Sequence, residues 1–434
     1  MSPEMIGAVF SILLFVLLFA GMPIGFALAF TGFIGLACLF GIDAALLQLG
    51  MVPYSSVADY TFSVVPLFIL AGSLASVAGL VKDLYEAAYR WFGHLPGGLA
   101  ITSIGACAGF AACTGSSMAS AATMTKVAWP EMKKRNYEPS FALGSIAAGG
   151  TLGILIPPSI PFIIYGIITQ QSVGKLFMSG VIPGIVLTLL FMSVIYIKAK
   201  TNPSLAPPSP RASWHERFAI MKNILPGGAL AATILGGIWG GIFTATEAGG
   251  AGAFAALIIA LAKRSLTWRG LIEALRDTVK TSAMIFTMLI GALIFGYFLT
   301  ASGVTAAMVK FVSGLNLSAL GILILILFIY VILGCLMDAN ALTLITMPAV
   351  FPVVTGMGID PILFGCLFVI NMEMALVTPP IGMNVFVIAG MVKEVPMYTV
   401  FRGVWPFIVA MAVATALVIA FPQLALFIPN HMGR

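Results

Sequence analysis

The chain has 434 residues, 60% of them hydrophobic and only 8% charged, a balance that excludes a soluble globular domain and places most of the chain in a bilayer. A formal charge of +6 would suggest nucleic acid or acidic lipid as partner of a soluble chain; here it points to lysines and arginines held on one membrane side. Cys38, Cys107, Cys113, Cys335 and Cys366 lie in apolar runs without metal-ligand spacing and read as core filler.

Residues 1–5 hold Glu4 and no basic residue, so no cleavable leader is expected and the spans themselves direct insertion. Apolar runs over 5–20 and 24–40 are each short for a full span of ~20 residues. A mixed loop is expected next, followed by a third span over 60–79. VKDLYEAAYRWF, residues 81–92, is amphipathic and too polar to cross, which predicts a helix lying at the interface. Residues 97–128 are apolar but rich in glycine, alanine and serine. They are too many for one upright span and too few for two. A re-entrant hairpin with its tip at Gly115–Ser117 fits, its small residues letting the arms approach closely.

After the charged EMKKRNYE (131–138), a span over 140–168 carries Gly149, Gly150, Gly153, Pro157, Pro158 and Pro161. Each proline removes an N–H and clashes with the carbonyl four residues back. The helix is therefore predicted to break at membrane depth, freeing carbonyls that protein, water or a cation must satisfy. Another span covers 176–197, and the proline-rich stretch 200–215 divides the chain. The second half offers an apolar pair over 224–243 and 248–262, turning at residues 244–247, and a second interfacial helix over 264–280. A span over 282–301, a hairpin over 317–354 with Asp338 and Asn340 at its tip, a broken span over 360–392 and a last span over 407–427 complete it.

Ser116 to Pro157 is 41 residues, and Asp338 to Pro379 is again 41. Interruptions at matching positions in two halves are the best sequence pointer to a secondary transporter's binding site. Orientation follows from charge. All lysines and arginines except Lys126, Lys175, Lys310 and Arg434 fit on one side, which marks that side as cytoplasmic. The hairpins then enter from opposite sides and the broken spans run in opposite directions, forming an inverted repeat.

At the tips the chemistry is oxygen-rich. Ser116 and Ser117 offer hydroxyls beside the carbonyls freed around 153–158, and oxygen ligands without a carboxylate suit a monovalent hard cation. A transmembrane serine more often bonds its own helix; the matched break is what favours ligation. Asp338 and Asn340 stand beside the carbonyls freed around 375–381, with Thr378 adding a hydroxyl. Ionisable residues within spans are functional candidates. Glu373 reads equally as a ligand or as a packing acceptor, and Lys126 as a snorkelling side chain or a countercharge. Glu247 sits at a turn within reach of water. The tips carry no arginine clamp, so substrate recognition is expected from backbone N–H groups, hydroxyls and amides, at Gly115, Ser120, Ser159, Asn340 and Asn384. The histidines, His94, His215 and His431, lie in loops or at the terminus, which argues against an intramembrane enzyme.

Taken together, GSSMASAATM, GGTLGILIPPSIPFIIYG, TATEAGG, the Asp338 hairpin and ALVTPPIGMNVF resemble the large membrane subunit of tripartite ATP-independent periplasmic (TRAP) transporters, in order and over essentially the whole chain. The resemblance implies an all-α polytopic membrane protein of elevator type, in which two hairpins and two broken helices move against a scaffold. Residues 1–92 are then scaffold and 93–199 the first repeat of the transport domain. Residues 200–280 hold the linker, a scaffold hairpin and an interfacial helix, and 281–434 the second repeat. The family also implies that sodium drives uptake of an organic anion, a carboxylate such as a C4-dicarboxylate or acidic sugar, across the bacterial inner membrane. A periplasmic binding protein delivers it, and a small membrane subunit of about four helices enlarges the scaffold, on this analogy. No organic cofactor is expected. Carried across motif by motif, the first sodium falls to Ser116 and Ser117 with the backbone of Gly153, Ile156 and Pro158. The second falls to the Asp338 hairpin with Ala375, Thr378 and Ile381. The pairs 153/375 and 156/378 share an offset of 222. Ser120 stands where many relatives carry Asp or Thr, and Ala375 where Gly is commoner. The first spans run directly into the large-subunit pattern, so the small subunit is expected as a separate chain. The alternative is a stand-alone ion-coupled anion carrier of the same architecture.

Overall fold

In hydrocarbon every backbone polar group needs an internal partner, and a helix supplies one within a single segment. The computed structural model describes residues 2–207, 209–314 and 317–432, and these form helices with no strand among them. Eight of the helices are long and apolar enough to cross a membrane.

The N-terminal part begins with Pro3–Phe19 and Ile24–Phe40. The loop expected after them is instead a helix, Ile42–Ala58. Its Gln48, Gly50, Pro53, Ser55 and Ser56 interrupt the apolar run, which hid it. Folded, Ser55 and Ser56 both turn their hydroxyls back onto the carbonyl of Val52, so the polar groups are satisfied within the helix. Tyr60–Ser63 and Val64–Val77 make the third span, and Leu80–Phe92 the amphipathic helix.

A second difference concerns residues 264–301. The interfacial helix and the span after it are one helix, Trp268–Ala301, 34 residues and so ~51 Å long. No glycine or proline stands between Leu271 and Ile290, and nothing stops the helix propagating. It lies along Ile24–Phe40 through glycines. A Cβ at Gly32 would stand 2.8 Å from the backbone nitrogen of Phe295, and one at Gly291 would run into the carbonyl oxygen of Gly25. Only a missing side chain lets the two backbones come that close.

Both predicted hairpins and both breaks are present. The first hairpin is Gly98–Thr114 and Ser117–Lys134, the second Ala319–Gly334 and Ala339–Gly356. The broken helices are Pro139–Leu155 with Ile160–Thr169, and Pro361–Ala375 with Met383–Met391. Each opens on an acidic cap followed by proline. Glu138 accepts the N–H of Phe141 at 2.7 Å, and Asp360 those of Ile362 and Leu363 at 2.8 and 2.9 Å. Proline at the first helical position wastes no hydrogen bond, because that N–H has no partner in a helix.

The two halves interlock. Gly144 packs on Gly403, Tyr165 donates from Oη to the carbonyl of Pro361 at 2.7 Å, and Asn384 donates from Nδ2 to the carbonyl of Ala147 at 3.4 Å. Val173–Thr201 follows the first broken helix. Met397–Ala420 follows the second, starting ten residues before the expected 407. A further helix, Val304–Ser313, leads into the second hairpin.

Candidate ion and substrate site

The first hairpin ends where Gly115 takes a left-handed conformation, φ 63°, which frees the chain to turn. Ser116 then caps the second arm, its Oγ accepting the N–H of Ala119 at 3.4 Å. This tip is seated in the first break. A Cβ built on Gly115 would lie 2.7 Å from the carbonyl oxygen of Pro158. One built on Gly153 would lie 2.7 Å from the carbonyl oxygen of Ser116 and 2.8 Å from Ser120 Oγ. Backbone oxygens from the tip and from the break therefore converge around two glycines, with the Ser117 side chain buried beside them. Of the residues expected at the first cation, Ser116, Ser117, Gly153 and Pro158 come together. Ile156 is the C-cap of the first half of the broken helix, its N–H bonded to Leu152 and its own carbonyl beyond the last helical turn.

The second tip is more open. Asp338 caps the arm Ala339–Gly356, its Oδ2 accepting the N–H of Asn340 at 3.0 Å. Gly334, on the first arm, packs directly against Ala375 at the end of the broken helix. Thr378 turns its Oγ1 to the carbonyl of Met374, and its N–H takes the carbonyl of Ala375. Ile381 is partly exposed at 38%. The hairpin thus meets the second break through Gly334 and Ala375, with Asp338 four residues further along the chain at the tip.

Between the tips lies a cavity of about 570 Å³, walled by Ser116 and Thr123 of the first hairpin and Asp338 and Asn340 of the second. The opposite wall is made by Ser73 and Ser76 from the third span, and by Glu273, Asp277 and Thr281 from the long helix. Asp277 accepts a hydrogen bond from Ser73 at 3.0 Å, and Glu273 pairs with Arg269 at 3.0 Å. This opposite wall escaped the sequence reading. Its signal was present, since residues 273, 277 and 281 repeat every fourth position and share one helix face.

Of the expected substrate residues, Asn340 lines the cavity. Ser120, Ser159 and Asn384 are buried behind its wall at 1%, 0% and 0% exposure. There Ser159 binds the carbonyl of Ile154, and Ser120 lies 3.4 Å from Thr114 Oγ1. Gly115 contributes backbone at the tip. Glu373 is 0% exposed, and neither of its carboxylate oxygens has a hydrogen-bond partner among the described residues. Lys126 is exposed on the second arm of the first hairpin. Glu247, the turn residue, completes a capping box: its Oε2 accepts the N–H of Thr244 at 2.8 Å.

Comparison with known proteins agrees with this architecture. Residues 11–424 match the family described as "Tripartite ATP-independent periplasmic transporter, DctM component". The chain is 36% identical, over 86% of its length and 87% of the relative's, to the C4-dicarboxylate TRAP transporter large permease protein DctM of Pseudomonas aeruginosa. It is 33% identical to the sialic acid TRAP transporter large permease protein SiaM of Vibrio cholerae, over 98% of each chain. With the ectoine TRAP transporter large permease protein TeaC of Halomonas elongata it shares 32% identity, over 96% of this chain and 97% of that one. Among solved structures, the YdaH transporter of Alcanivorax borkumensis superposes with a TM-score of 0.70 at 14% identity, covering 98% of this chain and all of that one, a likeness of fold alone. Hairpin tips seated at helix breaks, a cavity between them and a family match over nearly the whole length lead to one conclusion: this chain is a multi-pass membrane protein of the TRAP transporter DctM family, a large permease and not an enzyme.

Proposed function

We propose that the chain carries an organic anion through the bacterial inner membrane, driven by sodium, by an elevator movement of the hairpins and broken helices against the scaffold. The observation that carries this reading is the seating of the Gly115–Ser116 tip in the Gly153–Pro158 break, a niche lined by backbone carbonyl and serine oxygens. Such a niche suits a monovalent hard cation. Ser116, Ser117, Gly153, Ile156 and Pro158 are the ligands proposed for the first sodium, and Asp338, Ala375, Thr378 and Ile381 for the second. The substrate occupies the cavity between the tips, next to both ions, so that each ion's charge favours the other's cargo. The cavity reaches the start of the helix Trp268–Ala301, where Arg269, Arg276 and Lys280 mark the cytoplasmic side, and this fits an inward-facing carrier. A periplasmic binding protein as donor of the substrate and a small membrane subunit of about four helices as partner are proposed with it, from the family analogy.

The test is uptake into proteoliposomes under an imposed sodium gradient. The double variant Ser116→Ala, Ser117→Ala should assemble normally and lose sodium-dependent uptake. Uptake by that variant with unchanged sodium dependence would refute the assignment.

A further inference from the structure

A second cavity, of about 620 Å³, opens between Pro3–Phe19, the end of Trp268–Ala301, Val304–Ser313 and both arms of the second hairpin. Its lining is almost wholly hydrocarbon, and its few hydroxyls are already bonded. Ser11 donates to the carbonyl of Gly7 at 2.8 Å. Tyr330 Oη and Thr346 Oγ1 meet at 2.7 Å, and Thr346 donates to the carbonyl of Leu342 at 2.7 Å. No side-chain hydroxyl there asks for water or for a polar ligand. Left empty, a void of this size forfeits the dispersion contacts of its lining. Its rim is open, with Ile12, Phe311, Leu325 and Ile329 exposed by 65%, 70%, 40% and 44%.

Position and shape name the occupant. Phe295 and Leu299 line the cavity from the last two turns of Trp268–Ala301. The first turns of that helix carry Arg269, Arg276 and Lys280 of the cytoplasmic side, so the cavity lies in the outer half of the bilayer. Along the hairpin arm its lining runs from Ile322 to Leu333, about 16 Å. One leaflet of the hydrocarbon core is ~15 Å deep. A helix ~10 Å wide over that length fills roughly 1,200 Å³, twice the space present; an acyl chain is narrow enough to enter. The chain's headgroup phosphate then needs a cation outside the apolar lining. Lys310 stands on the same short helix as the lining residues Met308 and Phe311; it is exposed and makes no ion pair among the described residues.

We infer that this cavity binds an outer-leaflet phospholipid, one acyl chain lying between Pro3–Phe19 and the second hairpin and the phosphate against Lys310. The acyl chain supplies the dispersion contacts that the lining lacks. Lys310 adds about fivefold to the affinity, the worth of one lysine near a membrane phosphate.

The experiment mixes the full chain in detergent with dioleoyl phosphatidylglycerol carrying a diazirine midway along its acyl chains. After irradiation the labelled peptides are mapped. The reference is the apolar outer face of Ala245–Ala262, where Phe254 and Leu261 are exposed to lipid in general. Residues 322–333 and 345–353 should be labelled about fivefold above that face or more. Ala349→Phe fills the cavity and should bring their labelling down to the reference level. Ala8→Phe, entering from the facing helix, is the second variant and should do the same. Thermal unfolding verifies the fold of each. Lys310→Gln should raise the lipid concentration needed for half-maximal labelling by about fivefold. Wild-type labelling no stronger than the reference overturns the inference, as does undiminished labelling in a folded cavity-filling variant. Loss of the signal when the small permease is present assigns the cavity to a protein partner and overturns it too. An unchanged half-maximal concentration in Lys310→Gln overturns the phosphate contact.

Discussion

Asp338 has a structural task as a helix cap, and the proposed function gives it an ionic one as well. As the cap of the second hairpin arm it accepts the N–H of Asn340; as a carboxylate on the cavity wall it supplies charge. Asparagine caps nearly as well as aspartate, so Asp338→Asn separates the tasks. The variant should fold and assemble as wild type while needing more external sodium for half-maximal uptake. A variant that fails to assemble would mean that the charge itself holds the tip. Gly153 is the counterpart at the first break. A methyl group there would press on the Ser116 carbonyl at 2.7 Å and on Ser120 Oγ at 2.8 Å. Gly153→Ala should lower sodium affinity by roughly tenfold, a step of 1.4 kcal/mol, with thermal stability changing much less. Sodium titration of uptake checks both.

At the scale of elements, the hairpins and breaks were legible because glycine and proline leave unambiguous marks in an apolar run. The helix Ile42–Ala58 was not, since its serines satisfy themselves inside the helix and look from sequence like a loop. Nor did composition reveal that Trp268–Ala301 is continuous. A change from amphipathic to apolar sequence looks like a boundary, yet without a breaker the backbone has no reason to stop. The cavity wall formed by Glu273, Asp277 and Thr281 was missed for a related reason: a polar stripe on an amphipathic stretch faces water as readily as a cavity. Two element contacts invite measurement. Gly32 lies on the Phe295 backbone, so Gly32→Leu should overpack the contact between the two helices and cost about 1–3 kcal/mol, read by thermal unfolding. Glu394 accepts from Lys133 at 2.7 Å and Trp129 at 3.2 Å, joining the loop after the second broken helix to the first hairpin. Hydrogen bonds from Lys133 and Trp129, and then the Lys133 charge, hold its carboxyl below the usual carboxylate range. Its folded pKa is therefore depressed, so the stability it contributes is present above the unfolded value of about 4.3. That contribution is lost as pH falls through the folded pKa. Glu394→Gln should be less stable than wild type near neutrality, and the gap should close in more acidic buffer.

For the whole molecule, the proposed two sodium ions together with a monoanionic substrate would move one net positive charge inward per cycle, worth about 2.3 kcal/mol per 100 mV. An inside-negative potential should then accelerate uptake at fixed sodium, and flux ratios of sodium to substrate should give at least two. A ratio of one, or full uptake without sodium under a proton gradient, would be incompatible with two ion-binding tips. The interlocking of the halves bears on how such a protein is made. Gly144 lies on Gly403, Tyr165 on Pro361, and Lys133 on Glu394. The first hairpin therefore emerges from the ribosome some 260 residues before the partner that clamps it, an interval of about 13–50 s at 5–20 residues per second. Throughout that time its arms have Pro139–Leu155 beside them but lack the second-half elements, such as Met383–Met391, that complete their packing. A ribosome that stops at the linker leaves behind the first hairpin and the first broken helix without the second-half elements that clamp them.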